Sequence, residues 1–314
     1  MTSPDNAQLV EHIRSHQPLH ARSLIVTMFG DAIHPHGGVI WLSALIKLAA
    51  SLGLNERLVR TAVYRLRQEG WLAAETRGRR SIYHLTERGA HAFESADQRI
   101  YQAPQTSWDE HWRIVLLHQT TRPQARLGKA LSWRGYAQLD SHTFAHPTAD
   151  LEALSPVLEE LGVSNSVSRL VARPASADAQ ALAARFLGAA NLTVLAEHYR
   201  SFLNTFEAAT RAQTPGPRDA FVLRTLLIHE FRRVLLRDPG LPTALLPAHW
   251  PGAAARQLTA QIYAAVLRPA EEFLHTHGEG FDSNMPSGQR APLAELLRRF
   301  KSPREDADIV QYSS

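Results

Sequence analysis

The clearest alternation of apolar and polar positions runs from Val39 to Thr86. Val39, Ile40 and Trp41 open it as a short strand. Ser43 is placed to cap a helix whose apolar positions, Leu45, Ile46, Ala49 and Ala50, recur at i, i+3, i+4 spacing. Gly53 stands where a helix end calls for a left-handed residue, flanked by Leu52 and Leu54. Asn55 caps a second helix with the stripe Val59, Ala62, Val63 and Leu66, and Gly70 stops it. Two strands follow, Trp71 to Ala74 and Ser81 to Leu85. The tip Glu75-Thr76-Arg77-Gly78-Arg79-Arg80 joins them. Strand, helix, turn, helix and hairpin in this order predict a winged helix-turn-helix.

The charge on this segment gives the pattern a direction. Between Arg57 and Arg80 there are seven arginines against Glu69 and Glu75, a surplus of five, while the whole chain carries a formal +4. Arg57, Arg60, Thr61, Tyr64 and Arg65 fall opposite the apolar stripe. A recognition helix needs that split, with one face packed and the other placing donors in the major groove. The hairpin arginines Arg77, Arg79 and Arg80 are suited to phosphate or to the minor groove. These eight residues are the predicted DNA contacts. Tyr64 has the alternative of packing partly on its own module.

The rest of the chain sorts by period. Residues 1–20 read as a flexible leader. Ala21 to Phe29 is an apolar helix under the module, and Thr86 caps a further helix to about Gln98. The polar, proline-bearing 103–107 stretch marks a boundary, so the first domain is predicted as 21–103. From 108 to 175 the order is β-α-β-α-β. Its strands are Trp112 to Leu117, Tyr136 to Phe144 and Val167 to Ala172; its helices are Pro123 to Leu131 and Leu151 to Leu161. That order predicts a small ferredoxin-like middle domain. From 178 to 278 the pattern is helical, with Leu195, Tyr199, Phe202 and Phe206 on one stripe. Residues 279–314 read as a partly disordered tail. The fold class predicted is α+β and multidomain.

At 314 residues two or three domains are expected. There is no cysteine, which excludes disulfides and thiolate metal sites. The first twenty residues lack an apolar signal core, and no 18-residue apolar run occurs, so a cytoplasmic chain without a membrane role is expected. His229-Glu230 begins like a zinc-protease motif, but Arg233 stands where the second histidine belongs. His34-Pro35-His36 and His275-Thr276-His277 offer two ligands each and no third. Phosphate-loop, dinucleotide and nucleophile-elbow motifs are absent. No catalytic residue, metal or cofactor is expected, and the chain does not read as an enzyme.

Three stretches resemble the PaaX family, bacterial repressors of phenylacetic acid catabolism. The first is Arg60-Thr61-Ala62-Val63-Tyr64-Arg65-Leu66 with Glu69-Gly70-Trp71 and Gly78-Arg79-Arg80-Ser81-Ile82-Tyr83-His84-Leu85-Thr86. The second is the α+β middle. The third runs from His229-Glu230-Phe231-Arg232-Arg233 through Asp238-Pro239-Gly240-Leu241-Pro242 to Leu245-Leu246-Pro247-Ala248-His249-Trp250-Pro251-Gly252.

The resemblance implies a homodimeric repressor that binds a double-stranded DNA operator. It implies a middle domain shaped like a CRISPR-associated spacer-acquisition nuclease. It also implies release from DNA by an aryl-CoA thioester, typically phenylacetyl-CoA. Arg232, Arg233 and Arg237 are candidates for the CoA phosphates, which arginine matches bidentately; pairing with Asp238 at a helix end is the competing reading. Trp250 is either an acyl-pocket wall or a core anchor. Two further classes stay open: a metal-dependent nuclease acting through the middle domain, and a regulator governed by protein partners without a small ligand.

Overall fold

The computed structural model describes residues 20–102, 108–118, 122–189, 191–210, 215–278 and 291–300. The expected leader, the 103–107 boundary and most of the expected tail lie outside them. The chain is α+β. It divides into two compact units, one within Met1–Ala103, Ser201–Arg233 and Ala253–Ser314, the other within Pro104–Arg200 and Val234–Gly252.

The first unit opens with α1 (Ala21–Met28), which buries five successive residues, Leu24 to Met28. Such a helix is apolar all round and belongs inside. It winds on through a wide turn, Phe29–Ile33, that buries Asp31. Then come β1 (Val39–Trp41), α2 (Leu42–Ser51), α3 (Glu56–Gln68), β2 (Leu72–Arg77), β3 (Arg80–Leu85) and α4 (Glu87–Tyr101). The sheet order is β1-β3-β2, antiparallel throughout, with Ile40 and Ala74 both opposite Tyr83.

Two local expectations need correction. The first helix starts at Leu42, so Ser43 lies inside its first turn and caps nothing. Its buried face is Leu42, Leu45, Leu48 and Ala49, with Ile46 only half-buried and Ala50 exposed. That face carries three leucines and so removes more apolar area from water. The hairpin tip is also tighter than expected. The strands run on until Arg77 faces Arg80, which leaves only Gly78-Arg79 as the turn. Gly78 takes a φ of 63°, as the first position of a two-residue II′ turn requires. Trp71 is not in the strand. Its N–H donates to Leu66 O at 2.9 Å and its carbonyl accepts from Thr86 N at 3.1 Å.

The second unit holds β4 (Trp112–Leu117), α5 (Arg122–Trp133), β5 (Ala137–Gln138), β6 (Thr143–His146), α6 (Ser155–Glu160), β7 (Val167–Ala172) and α7 (Ala179–Ala189). Sheet order is β5-β6-β4-β7, with every neighbour antiparallel. One long strand was expected from Tyr136 to Phe144, but the chain turns back on itself there. Asp140 makes the turn by accepting from His142 N at 2.8 Å. The core under the sheet includes Val115, Leu127, Leu131, Phe144 and Leu158.

Helix α8 (Leu192–Phe206) buries Leu195, Tyr199, Phe202 and Phe206, the predicted stripe. Helices α9 (Pro217–Leu235), α10 (Pro251–His277) and α11 (Leu293–Arg298) follow. Inside the first unit they close on a buried ionic cluster. Arg224 of α9 is fully buried. Its Nε donates to Asp31 Oδ2 at 2.7 Å, its Nη2 to Asp31 O at 2.8 Å, and its Nη1 to Glu271. Tyr101 OH donates to Asp31 Oδ1 at 2.6 Å. Arg299, just past α11, reaches Asp31 at 3.3 Å and Asp97, and lies over the Tyr101 ring. The second Glu271 oxygen faces His36 at 3.0 Å. Burial alone would raise the Glu271 carboxyl, but His36 and the Arg224 charge outweigh it and hold the group at about 2.

Candidate nucleic-acid interface

Helix α3 is built to show one face. The Asn55 side chain accepts from Leu58 N at 2.9 Å and starts the helix. Val59, Ala62, Val63 and Leu66 are buried along one side. Arg57, Arg60, Thr61, Tyr64 and Arg65 are all exposed, and Tyr64 leaves 61% of its surface in water. Arg60 pairs with Glu56 at 2.6 Å, and the Thr61 hydroxyl donates to Arg57 O at 2.8 Å. Arg57, Arg65, Arg67 and Arg79 make no ion pair among the described residues. Their charge is therefore open to an outside partner.

The three wing arginines are not equivalent. Arg79 occupies the turn and is exposed. Arg77 lies 3.4 Å from Glu75 in an exposed pair. Arg80 folds back, with its guanidinium 4.4 Å from the centre of the Trp41 ring and its Nη2 donating to Ser43 Oγ at 3.3 Å. Two residues outside the predicted set join the same surface. Arg67 and Tyr83, with Leu42, Arg60, Thr61 and Tyr64, line a hollow of about 400 Å3 between α3 and β3. Arg67 had a sequence signal, since it stands seven after Arg60 and three after Tyr64, on the same helix side.

The candidate ligand residues are divided between the units. Arg232 Nη2 donates to Ser23 Oγ at 3.1 Å, and Arg233 pairs with Glu230 at 2.9 Å; both belong to the first unit. Arg237 and Trp250 belong to the second. Arg237 stands past the end of α9, so it does not continue the helix face of Arg233 as the i, i+4 spacing predicts. Asp238 accepts from Tyr199 OH at 2.7 Å, and Trp250 packs edge-on against the Tyr199 ring at 5.8 Å.

His229 is buried against α1. The Thr27 hydroxyl donates to Ser23 O at 3.1 Å, so it accepts from His229 Nδ1 at 3.0 Å. Burial, with Arg232 and Arg233 adding to it, pushes the imidazole down to about 3. Among the described residues no group of three or more metal-ligating side chains gathers. Beyond β4, His118 Nε2 meets Ser168 Oγ at 2.9 Å, while Gln119-Thr120-Thr121 lie outside the described residues. No single helix there is long and apolar enough to cross a membrane.

The exposed arginine face of α3 and the hairpin is suited to a polyanion. Comparison with known proteins agrees. The family model described as PaaX-like protein matches residues 20–89, and that described as PaaX-like protein C-terminal domain matches residues 190–276. The transcriptional repressor PaaX of Escherichia coli (strain K12) is 36% identical over 298 residues, which is 93% of each chain. The chain therefore belongs to the PaaX family, whose named relative is a regulator and not an enzyme. A solved structure, the uncharacterized protein Rv0674 from Mycobacterium tuberculosis, aligns at 24% identity with a TM-score of 0.49, over 74% of this chain and 90% of that one. That likeness is too distant to bear on function.

Proposed function

We propose that this protein is a DNA-binding transcriptional repressor of an aromatic-acid catabolic operon of the phenylacetate type. It acts in the cytoplasm as a homodimer and is released from its double-stranded operator by an aryl-CoA thioester. The observation that carries the reading is the α3 face, where Arg57, Arg65 and Arg67 stand exposed and make no ion pair among the described residues. The order α2, turn, α3, β2, β3 supports a winged helix-turn-helix, with α3 entering the major groove and the hairpin as the wing. The second unit's order β4-α5-β5-β6-α6-β7 supports a ferredoxin-like middle domain.

The effector reading rests on kinship with the named repressor. Arg232, Arg233, Arg237 and Trp250 are its candidate contacts. Moving a protein from 99% bound to 99% released needs about 5.5 kcal/mol of differential binding. A thioester with phosphates and adenine has more groups to supply it than a free acid. The test is a titration of operator binding, on DNA upstream of neighbouring catabolic genes, against phenylacetate, CoA and phenylacetyl-CoA. Release by the thioester alone supports the proposal. Equal release by the free acid, or none by any thioester, overturns the effector; absence of specific DNA binding overturns the repressor.

A further inference from the structure

We infer that the hollow between α3 and β3 grips one sugar–phosphate segment of the DNA, with Arg67 and Tyr83 as contact residues and Arg80 as the residue that positions its wall. The inference rests on the DNA-binding reading above. The hollow is lined by Leu42, Arg60, Thr61, Tyr64, Arg67 and Tyr83. That lining has two guanidinium groups, three hydroxyls, one apolar residue and no carboxylate. Such a set is complementary to an anion joined to an uncharged body, and about 400 Å3 is room for more than a lone ion.

The two cations are available. Arg67 makes no ion pair among the described residues. Arg60 holds Glu56, but both side chains are 57% exposed, and exposed pairs of this kind exchange cheaply for a phosphate. The residues stand seven apart on α3, so both face the hollow, two turns from each other. Tyr83 reaches the hollow from the central strand β3, whose register places it opposite Ile40 and Ala74.

Arg80 has a different part. Its guanidinium carbon sits 4.4 Å from the centre of the Trp41 ring, and its Nη2 donates to Ser43 Oγ at the start of α2. It pins the tip of the wing to the end of β1 and the start of α2 and so holds β3, with Tyr83, beside the hollow. A lysine keeps the charge but not the planar, multi-donor guanidinium that meets Trp41 and Ser43 together.

The test uses the full-length protein and a duplex that it selects from a random pool. Arg67→Ala should lower the slope of log K against log salt by about 0.9, the share of one phosphate contact. Tyr83→Phe should weaken binding about three- to tenfold, with the slope kept. A scan with single methylphosphonate linkages should reveal one linkage at which Arg67→Ala costs nothing further. Arg80→Lys should weaken binding at unchanged slope and couple to no single linkage. An unchanged slope and affinity for Arg67→Ala, where wild type binds, overturns the grip; wild-type behaviour of Arg80→Lys overturns the positioning role. Failure of the wild type to select any duplex overturns the DNA-binding reading itself.

Discussion

The first unit uses arginine in two opposite ways. On α3 and the hairpin, Arg57, Arg65, Arg67 and Arg79 are exposed and lack ion pairs among the described residues. In the interior, Arg224 is fully buried and bonds to Asp31 and Glu271, while Arg299 bonds to Asp31 and Asp97. A guanidinium kept in water gives up little when it exchanges solvent and counterions for a phosphate. One taken from water must be matched group by group, because a lone buried charge is very costly. Exposed arginines can therefore set affinity without touching the fold, and buried ones set the fold without touching DNA.

The largest effect should come from breaking the buried set. Arg224→Met takes the shared cation from two buried carboxylates, leaving Asp31 to Arg299 and Glu271 to His36, and should cost about 3–5 kcal/mol, read as a fall in the urea midpoint. A loss below about 1 kcal/mol would mean the cluster does not hold the unit together. Replacing Arg224, Asp31 and Glu271 together by apolar residues of similar size should cost less, since the three charges leave together and Arg299 keeps Asp97.

The exposed set should respond in the other assay. Arg60→Ala and Tyr64→Ala should each weaken specific DNA binding by about 1–3 kcal/mol, the range of a base-edge contact, at an unchanged urea midpoint. Affinities within twofold of wild type in both would remove α3 from the interface.

Next comes pH. The folded imidazole of His229 is held at about 3, below its ordinary 6.5, so the unfolded chain binds the proton more readily. Stability from this group is complete above pH 6.5 and is lost as pH falls from there toward 3. Between pH 7 and 5.5 the loss should be about 1 kcal/mol, and it should vanish in His229→Leu. A slope that persists in that variant would assign the titration to another group.

The smallest effect should be Arg79→Ala at the hairpin turn, a drop of about 0.9 in the salt slope with little change in sequence preference. No change in slope would mean that the turn stays clear of DNA.

The sequence revealed much more of the exposed set than of the buried one. Asn55 and the Val59/Ala62/Val63/Leu66 stripe speak within a single helix, and the structure uses each as expected. Thr86 likewise caps its helix, accepting from Gly89 N at 3.0 Å. Ser43 misled because a serine near a helix start is ambiguous by one or two positions, and here Arg80 claims its oxygen. The split of one expected strand into β5 and β6 was hidden because β5, at two residues, has no measurable alternation. The ionic cluster was invisible for another reason: Arg224 and Asp31 are 193 positions apart, and no local period links them. The trace it leaves is a lone charge inside an apolar run, Arg224 in Phe221-Val222-Leu223-Arg224-Thr225-Leu226 and Asp31 after Met28-Phe29-Gly30. Arg67 could have been found from the helix phase, whereas Tyr83 needed the register of β3.

The separation of 193 positions is also an interval of time. A ribosome adds about 5–20 residues each second, so Arg224 reaches the chain roughly 10–40 s after Asp31. For the part of that interval after residue 80 the segment with every α3 and hairpin arginine is already made, while the interior that will hold it is not. A message that breaks before codon 224 yields a chain with the basic surface and no means of closing the core beneath it. The core beneath the basic surface therefore closes only once α9 has supplied Arg224.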